Sequence, residues 1–141
     1  MKSNDTTKFV NKLNRETKEN KVLWEIKNSS PSSLANDERI LNNTHYLAKI
    51  DNKQGVRLYK FQSKYYTDED TYSWSDNLRL EFIDSFSNST WEFPNDAATL
   101  SLYETVRYKT AGVESFLDSY LNNEPNELEA QSDEDNPDYP F

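Results

Sequence analysis

The chain has 141 residues, 34% of them hydrophobic but 13% aromatic, so one domain with a core built largely from rings is the size it can support. Its net charge of −9 is unevenly placed: Glu124, Glu127, Glu129, Asp133, Glu134, Asp135 and Asp138 put −7 in residues 122–141, leaving −2 for residues 1–121. A near-neutral body excludes the basic footprint of a direct nucleic-acid binder, zero Cys excludes disulfides and thiolate chemistry, and no run reaches the ~18 apolar residues of a membrane span.

The N-terminus is polar and without an apolar signal region, so a cytoplasmic location is expected. Richness in Lys and Asn with only two Gly is the composition of an AT-rich genome, which fits a bacterial or phage origin. Residues 6–19 then read as a helix. Phe9, Val10, Leu13 and Thr17 share one face, and Asp5 or Thr6 can accept the first free backbone N–H groups.

Residues 21–27 alternate, which predicts a strand with Val22, Trp24 and Ile26 inward. Residues 28–44, rich in Ser and Asn around Pro31, read as a long connection with room for a short helix near 34–41. Residues 45–51 and 56–66 flank the polar turn 52–55, which ends in Gly55, and this spacing predicts an antiparallel hairpin. In its second arm Arg57, Tyr59, Phe61, Ser63 and Tyr65 share one face, while Val56, Leu58 and Tyr66 share the other. Neither face is cleanly polar, as befits a central strand covered on both sides.

Residues 67–77 read as an acidic loop that carries Tyr72 and Trp74. Leu78, Leu80 and Phe82 alternate with Arg79 and Glu81 in a strand over 78–84, and after a turn at 85–89 a short strand at 90–93 stops before Pro94, which lacks an N–H. Trp24 and Trp91 are expected in the core. A helix over 97–121, capped by Asn95 or Asp96, aligns Leu102, Val106, Val113, Leu117 and Tyr120, with Leu100, Tyr103 and Phe116 beside them. Gly112 within it costs roughly 1 kcal/mol against Ala and marks either a break or a close approach to the sheet.

The fold class expected is α+β: an antiparallel meander of about five strands with an N-terminal and a C-terminal helix packed on it. Residues 1–121 are assigned to that single domain. Residues 122–141 are too polar and too one-sided in charge to fold alone and are expected to be a disordered acidic tail.

Motifs of catalysis are weak. His45 is the only histidine, and the nucleophile and carboxylate that would make it a general base are not near it in sequence, so a strand-end hydrogen bond is the reading preferred. Glu25-Ile26-Lys27 resembles the Glu-x-Lys element of metal-dependent nucleases, but it lies on the first strand and lacks the earlier acidic strand that such enzymes need. Asp68 and Asp70 match the first two ligand positions of a calcium loop; Tyr72 and Ser73 then stand where a ligand and a Gly belong. The two glycines are isolated, so no phosphate loop is formed. No catalytic residue, metal site or cofactor is assigned.

The binding residues proposed from sequence are Tyr65, Tyr66, Asp68, Glu69, Asp70, Tyr72, Trp74 and Asp76. Rings supply contact area at low entropic cost, and acids beside them favour a partner with a basic surface. The function expected is a small intracellular protein-binding module, of accessory, immunity or inhibitor type, that occupies a partner's surface. The alternatives are a metal-dependent hydrolase or nuclease using Glu25 and Lys27, and a nucleic-acid mimic acting through the acidic loop and tail. The plain structural reading is that some of the rings complete the core and that the tail serves solubility.

Overall fold

The structure, a computed structural model, describes residues 3–123, so the expected acidic tail lies outside the described residues from 124 onward. Backbone contacts divide the chain into two units, Met1–Thr110 and Ala111–Phe141. The first contains helix α1 (Ser3–Lys18), strands β1 (Glu25–Lys27), β2 (Glu38–Ile40), β3 (His45–Ile50), β4 (Gln54–Tyr66), β5 (Tyr72–Ile83) and β6 (Ser89–Glu92), and helix α2 (Ala97–Thr110). The second contains helix α3 (Val113–Asn122).

All strand pairs are antiparallel, in the order β1-β3-β4-β5-β6. The fold is therefore the α+β meander read from the alternation, with six strands among the described residues. The additional strand, β2, pairs Ile40 with Phe61 and Glu38 with Ser63. It sits on the flank of β4 that β3 occupies nearer the strand's start, because β5 lines the whole of the other flank.

Helices α1 and α2 cover one sheet face. Val10, Leu13, Leu102, Tyr103 and Val106 meet Tyr46, Leu58, Leu78, Leu80 and Phe93 in one buried cluster. Each fully buried aliphatic or ring contributes roughly 1.5–3 kcal/mol of transfer free energy, which is how a chain poor in aliphatics still closes a core. Phe9 packs edge-on to Phe82 at 5.5 Å and stacks on Phe93 at 5.2 Å, adding ring geometry to area.

Several boundaries differ from the sequence reading, each for a local physical reason. Helix α1 begins at Ser3, so Asp5 lies in its first turn and is not its cap. The strand expected over 21–27 shrinks to β1. Asn20, at φ 64°, terminates α1 in the left-handed region, and the N–H groups of Lys21 and Val22 bond back to Glu16 O. Ile26 is thereby exposed, while Val22 is buried and half-buried Trp24 donates from Nε1 to Thr17 Oγ1 at 3.0 Å.

The short helix expected near 34–41 is β2, whose pairing with β4 outweighs local turn preference. The turn of the β3–β4 hairpin is 51–53, not 52–55. Asp51 and Asn52 adopt positive φ, and Lys53 N–H closes onto Ile50 O at 3.0 Å. Gly55 lies inside β4, where a Cβ would come within 2.9 Å of Ile83 Cγ1, so its absence of a side chain serves packing.

Trp91, expected in the core, is exposed: it sits on edge strand β6, where a bulge between Phe82 and Ile83 shifts the register. Phe93, two residues on, takes the core position, and its N–H to Leu80 O (2.8 Å) is the last rung before Pro94. Asp96 caps α2, accepting Thr99 N–H at 3.1 Å. The helix expected over 97–121 breaks at Gly112, whose φ of 74° is left-handed, and α3 follows as a separate helix with no buried residue.

Candidate functional site

Strands β4 and β5 run together for twelve paired positions, from Gly55↔Ile83 to Tyr66↔Tyr72. Helices α1 and α2 and the neighbouring strands cover the first part of this ribbon only. The segment expected as an acidic loop over 67–77 is instead its far end: β5 begins at Tyr72, and the connection is the five-residue turn 67–71. Thr67 N–H to Thr71 O (2.9 Å) closes the turn, so the strand register continues to its tip. Alternating Tyr, Ser and Trp with β propensity, opposite Lys64 to Tyr66, explain why these residues extend a strand.

That register sorts the sequence-proposed residues onto surfaces. Tyr66, Tyr72 and Trp74 fall on one face with Lys64, Gln62 and Asp76; Tyr65 falls on the other with Ser63, Ser73 and Ser75. Tyr65, Tyr66 and Tyr72 are 61%, 54% and 44% exposed, and Trp74 is half-buried by its neighbours. The rings form a chain, Tyr66 to Tyr72 at 5.6 Å and Tyr72 to Trp74 at 5.8 Å, both edge-on. Cations seat on it: Arg39 lies 3.8 Å above Trp74 and Lys64 lies 4.5 Å above Tyr72. Such contacts stiffen the rings without removing them from solvent.

The acids divide between two places. Asp68, Glu69 and Asp70 are exposed on the turn. Asp76 is part of the ring-bearing face, where it accepts from Gln62 Nε2 at 2.8 Å and lies 3.9 Å from Lys60. Gln62 in turn accepts from Arg39 Nε at 2.9 Å. The surface is thus bipolar: a ring face bearing Arg39, Lys60 and Lys64, ending in a turn with three carboxylates. Interleaving of rings and acids in sequence did not reveal this separation, since it depends on which strand lies opposite which.

The other candidate residues are placed differently. His45 is buried, and its Nδ1 lies 2.8 Å from Ser29 O, so Nδ1 carries the proton that is donated; burial holds the imidazole below its ordinary pKa. Glu25 and Lys27 pair with each other at 3.2 Å, both well exposed. Glu25 and Asp84 line an open cleft of about 610 Å3 with Lys49 and Lys53. Asp84 Oδ1 accepts the N–H groups of Phe86 and Asn88, each at 2.9 Å, and these bonds hold its carboxyl below the usual range. Among the described residues no three His, Asp or Glu side chains converge as metal ligands.

Sequence reasoning missed a second polar feature. Arg79 and Glu81 were read as the polar side of a half-buried strand, but that side is covered by the 28–37 segment. Arg57 and Glu81 are 2% and 1% exposed and paired at 2.7 Å. Ser33 Oγ donates to Glu81 Oε2 at 2.8 Å and lies 2.7 Å from Tyr59 Oη. Arg79 donates to Tyr59 Oη at 2.8 Å and to both Glu38 oxygens at 3.0 Å. The one signal was that neither face of 56–66 is cleanly polar. A directly opposed Arg57–Glu81 pair is equally at home on a solvated face, and it is the cover laid by the 28–37 segment that desolvates it. Every charge here has a partner within the network, so it fastens the 28–37 segment to the sheet.

Comparison with known proteins found no family model, no curated protein and no solved structure that matches this chain.

Proposed function

We propose that this protein is a small intracellular protein-binding module that acts by occupying a partner's surface with the tip of its β4–β5 hairpin. The observation that carries the reading is the projection of Tyr65, Tyr66, Tyr72 and Trp74 beyond the covered part of the sheet, on a ribbon whose register is unbroken. Exposed rings held on strands lose little entropy when they are buried by a partner, so their contact area converts efficiently into affinity. Asp68, Glu69 and Asp70 at the turn suit a basic patch on that partner and speed encounter with it.

The test is affinity capture from native cells followed by binding measured on the purified pair. Tyr72→Ala and Trp74→Ala together should weaken binding by about 2 kcal/mol or more, roughly thirtyfold, with the fold intact. Charge reversal at Asp68 and Asp70 should slow association and flatten its salt dependence. A folded Tyr72/Trp74 double variant that binds as tightly as the parent rules the hairpin tip out.

A further inference from the structure

We propose that β5 is a self-pairing edge and that two copies of this chain join through it, antiparallel about a two-fold axis at Ser75. Leu80 O accepts Phe93 N–H from the β6 side, so the N–H and C=O of Leu80 point away from β4. Backbone direction alternates along a strand, and the β4–β5 register has no shift between Leu80 and Tyr72. The backbone groups of Leu78, Asp76, Trp74 and Tyr72 therefore also point away from β4. On the far flank, Lys60 O is taken by Leu41 N–H, which agrees with Lys60↔Leu78 being a pair that faces outward on both sides.

Strand β6 pairs with β5 only at Glu81 to Ile83. No described residue hydrogen-bonds the outward groups of 72–78. This edge is regular and exposed from Tyr72 to Asp76, and it ends at buried Leu78, beside the groove at the start of α2. Folded proteins usually protect such an edge with Lys, Pro or a bulge. The only bulge in β5 is at Phe82/Ile83, and the only charge within 72–78 is Asp76.

That one charge selects the register. Pairing centred on Asp76 would set two carboxylates opposite each other. Centring on Ser75 sets Tyr72 opposite Leu78 and Trp74 opposite Asp76 of the second copy, and it uses every outward group once. Four exchanged pairs give about eight backbone hydrogen bonds. The same register also seats a side chain. A groove of about 310 Å3 lies beside the edge, lined by Lys60, Leu78, Asp96, Ala97 and Leu100, and Leu100 is exposed. Tyr72 of the second copy, with its Cβ about 5 Å from that of Leu78, stands at this groove. By symmetry the arrangement occurs twice, so a knob and its seat come from the same sequence. Such self-complementarity favours a second copy over an unrelated strand as the occupant.

The dimer draws in Tyr72 and Trp74, which the partner-binding reading also uses, while Tyr65, Tyr66 and the turn acids stay outside it. Leu100→Arg tests the dimer without touching any residue of the hairpin tip. Each acidic turn approaches the Asp96 end of the other copy, so added salt should strengthen association.

The chain has no cysteine, which makes the register directly testable on the full-length protein. Ser75 meets its own symmetry mate in a non-hydrogen-bonded pair, where Cα atoms lie about 4.5 Å apart, within disulfide range. Under diamide, Ser75→Cys should form a disulfide dimer on the order of tenfold faster than Ser73→Cys, which faces Asn77. In sedimentation velocity the parent should shift from monomer to dimer with concentration, and Leu100→Arg, a change at an exposed helix position, should restore the monomer. Equal cross-linking rates at the two positions, a dimer insensitive to Leu100→Arg, or a monomer at every concentration would each overturn the proposal.

Discussion

The β4–β5 ribbon has two halves built from the same strands, in one register, with opposite fates. In the near half Tyr59 is wholly buried between the 28–37 segment and the sheet; in the far half Tyr65 and Tyr66 stand in solvent. Arg57 and Glu81 form a desolvated pair in the near half, while in the far half Lys64 is only half-buried and Asp76 is exposed. Residue type does not separate the halves, for both mix rings and charges at the same period. What separates them is cover: helices on one face and a fastened segment on the other reach Phe61 and Leu78 and go no further. A ring under cover contributes to stability, and the same ring beyond the cover is left as contact area for something else.

The sharpest way to break that contrast is to remove one member of the buried pair. Glu81→Ala strands the Arg57 guanidinium without its partner and leaves Ser33 without its acceptor. It should cost roughly 3–5 kcal/mol in urea unfolding, enough to unfold a domain of ordinary stability. Replacing both residues, Arg57→Met with Glu81→Leu, should recover most of that loss. A single variant that loses under about 1 kcal/mol would show that water reaches the network.

A middle-sized effect is expected from pH, and its sign follows from two groups on the strands that flank β4, His45 on β3 and Glu38 on β2. The folded pKa of His45 lies below its ordinary 6.5 because burial disfavours the imidazolium. The unfolded chain therefore binds the proton first, and stability present above pH 6.5 is lost as pH falls through the folded value. The carboxyl of Glu38 is held below 4.5, chiefly by its hydrogen bonds from Arg79. Its contribution is likewise present above pH 4.5 and lost as pH falls further. The thermal midpoint should decline in two stages on acidification, and His45→Asn should flatten the upper one.

The smallest effect belongs to the far half. Tyr65→Ser with Tyr66→Ser should change unfolding free energy by no more than about 0.5–1 kcal/mol, within the range of exposed positions. A larger loss measured by the same denaturation would mean that the tip is covered in solution.

How far the sequence could be read depended on whether a residue's role is set by near or distant neighbours. The α1 stripe of Val10, Leu13 and Thr17, the parity of Leu58, Leu78 and Leu80, the Asp96 cap and the stop at Pro94 were all legible, because each follows from spacing along one element. Turn chemistry was harder. With two Gly in the chain, Asn20, Asn42, Asn43, Asp51, Asn52 and Ser87 take the left-handed positions, and one of the glycines is inside a strand. The rings at 65–74 were legible as a cluster, yet the loop assigned to them was wrong, since acidic residues at 68–70 suggested a boundary that the pairing with β4 carries past.

By itself, the sequence determined most element types, though not β2 or the start of β5, together with the antiparallel order of consecutive strands and the face to which most apolar residues turn, since these depend on period and short connections. Only the tertiary structure decided what covers each face of the sheet, and hence that Arg57 and Glu81 are buried, and it put Trp91 on the exposed edge strand β6. It also decided where the cover ends. Burial is set by what another part of the chain lays over a residue, and β2 and the 28–37 segment do this across the sheet from positions no local period connects to β4 and β5.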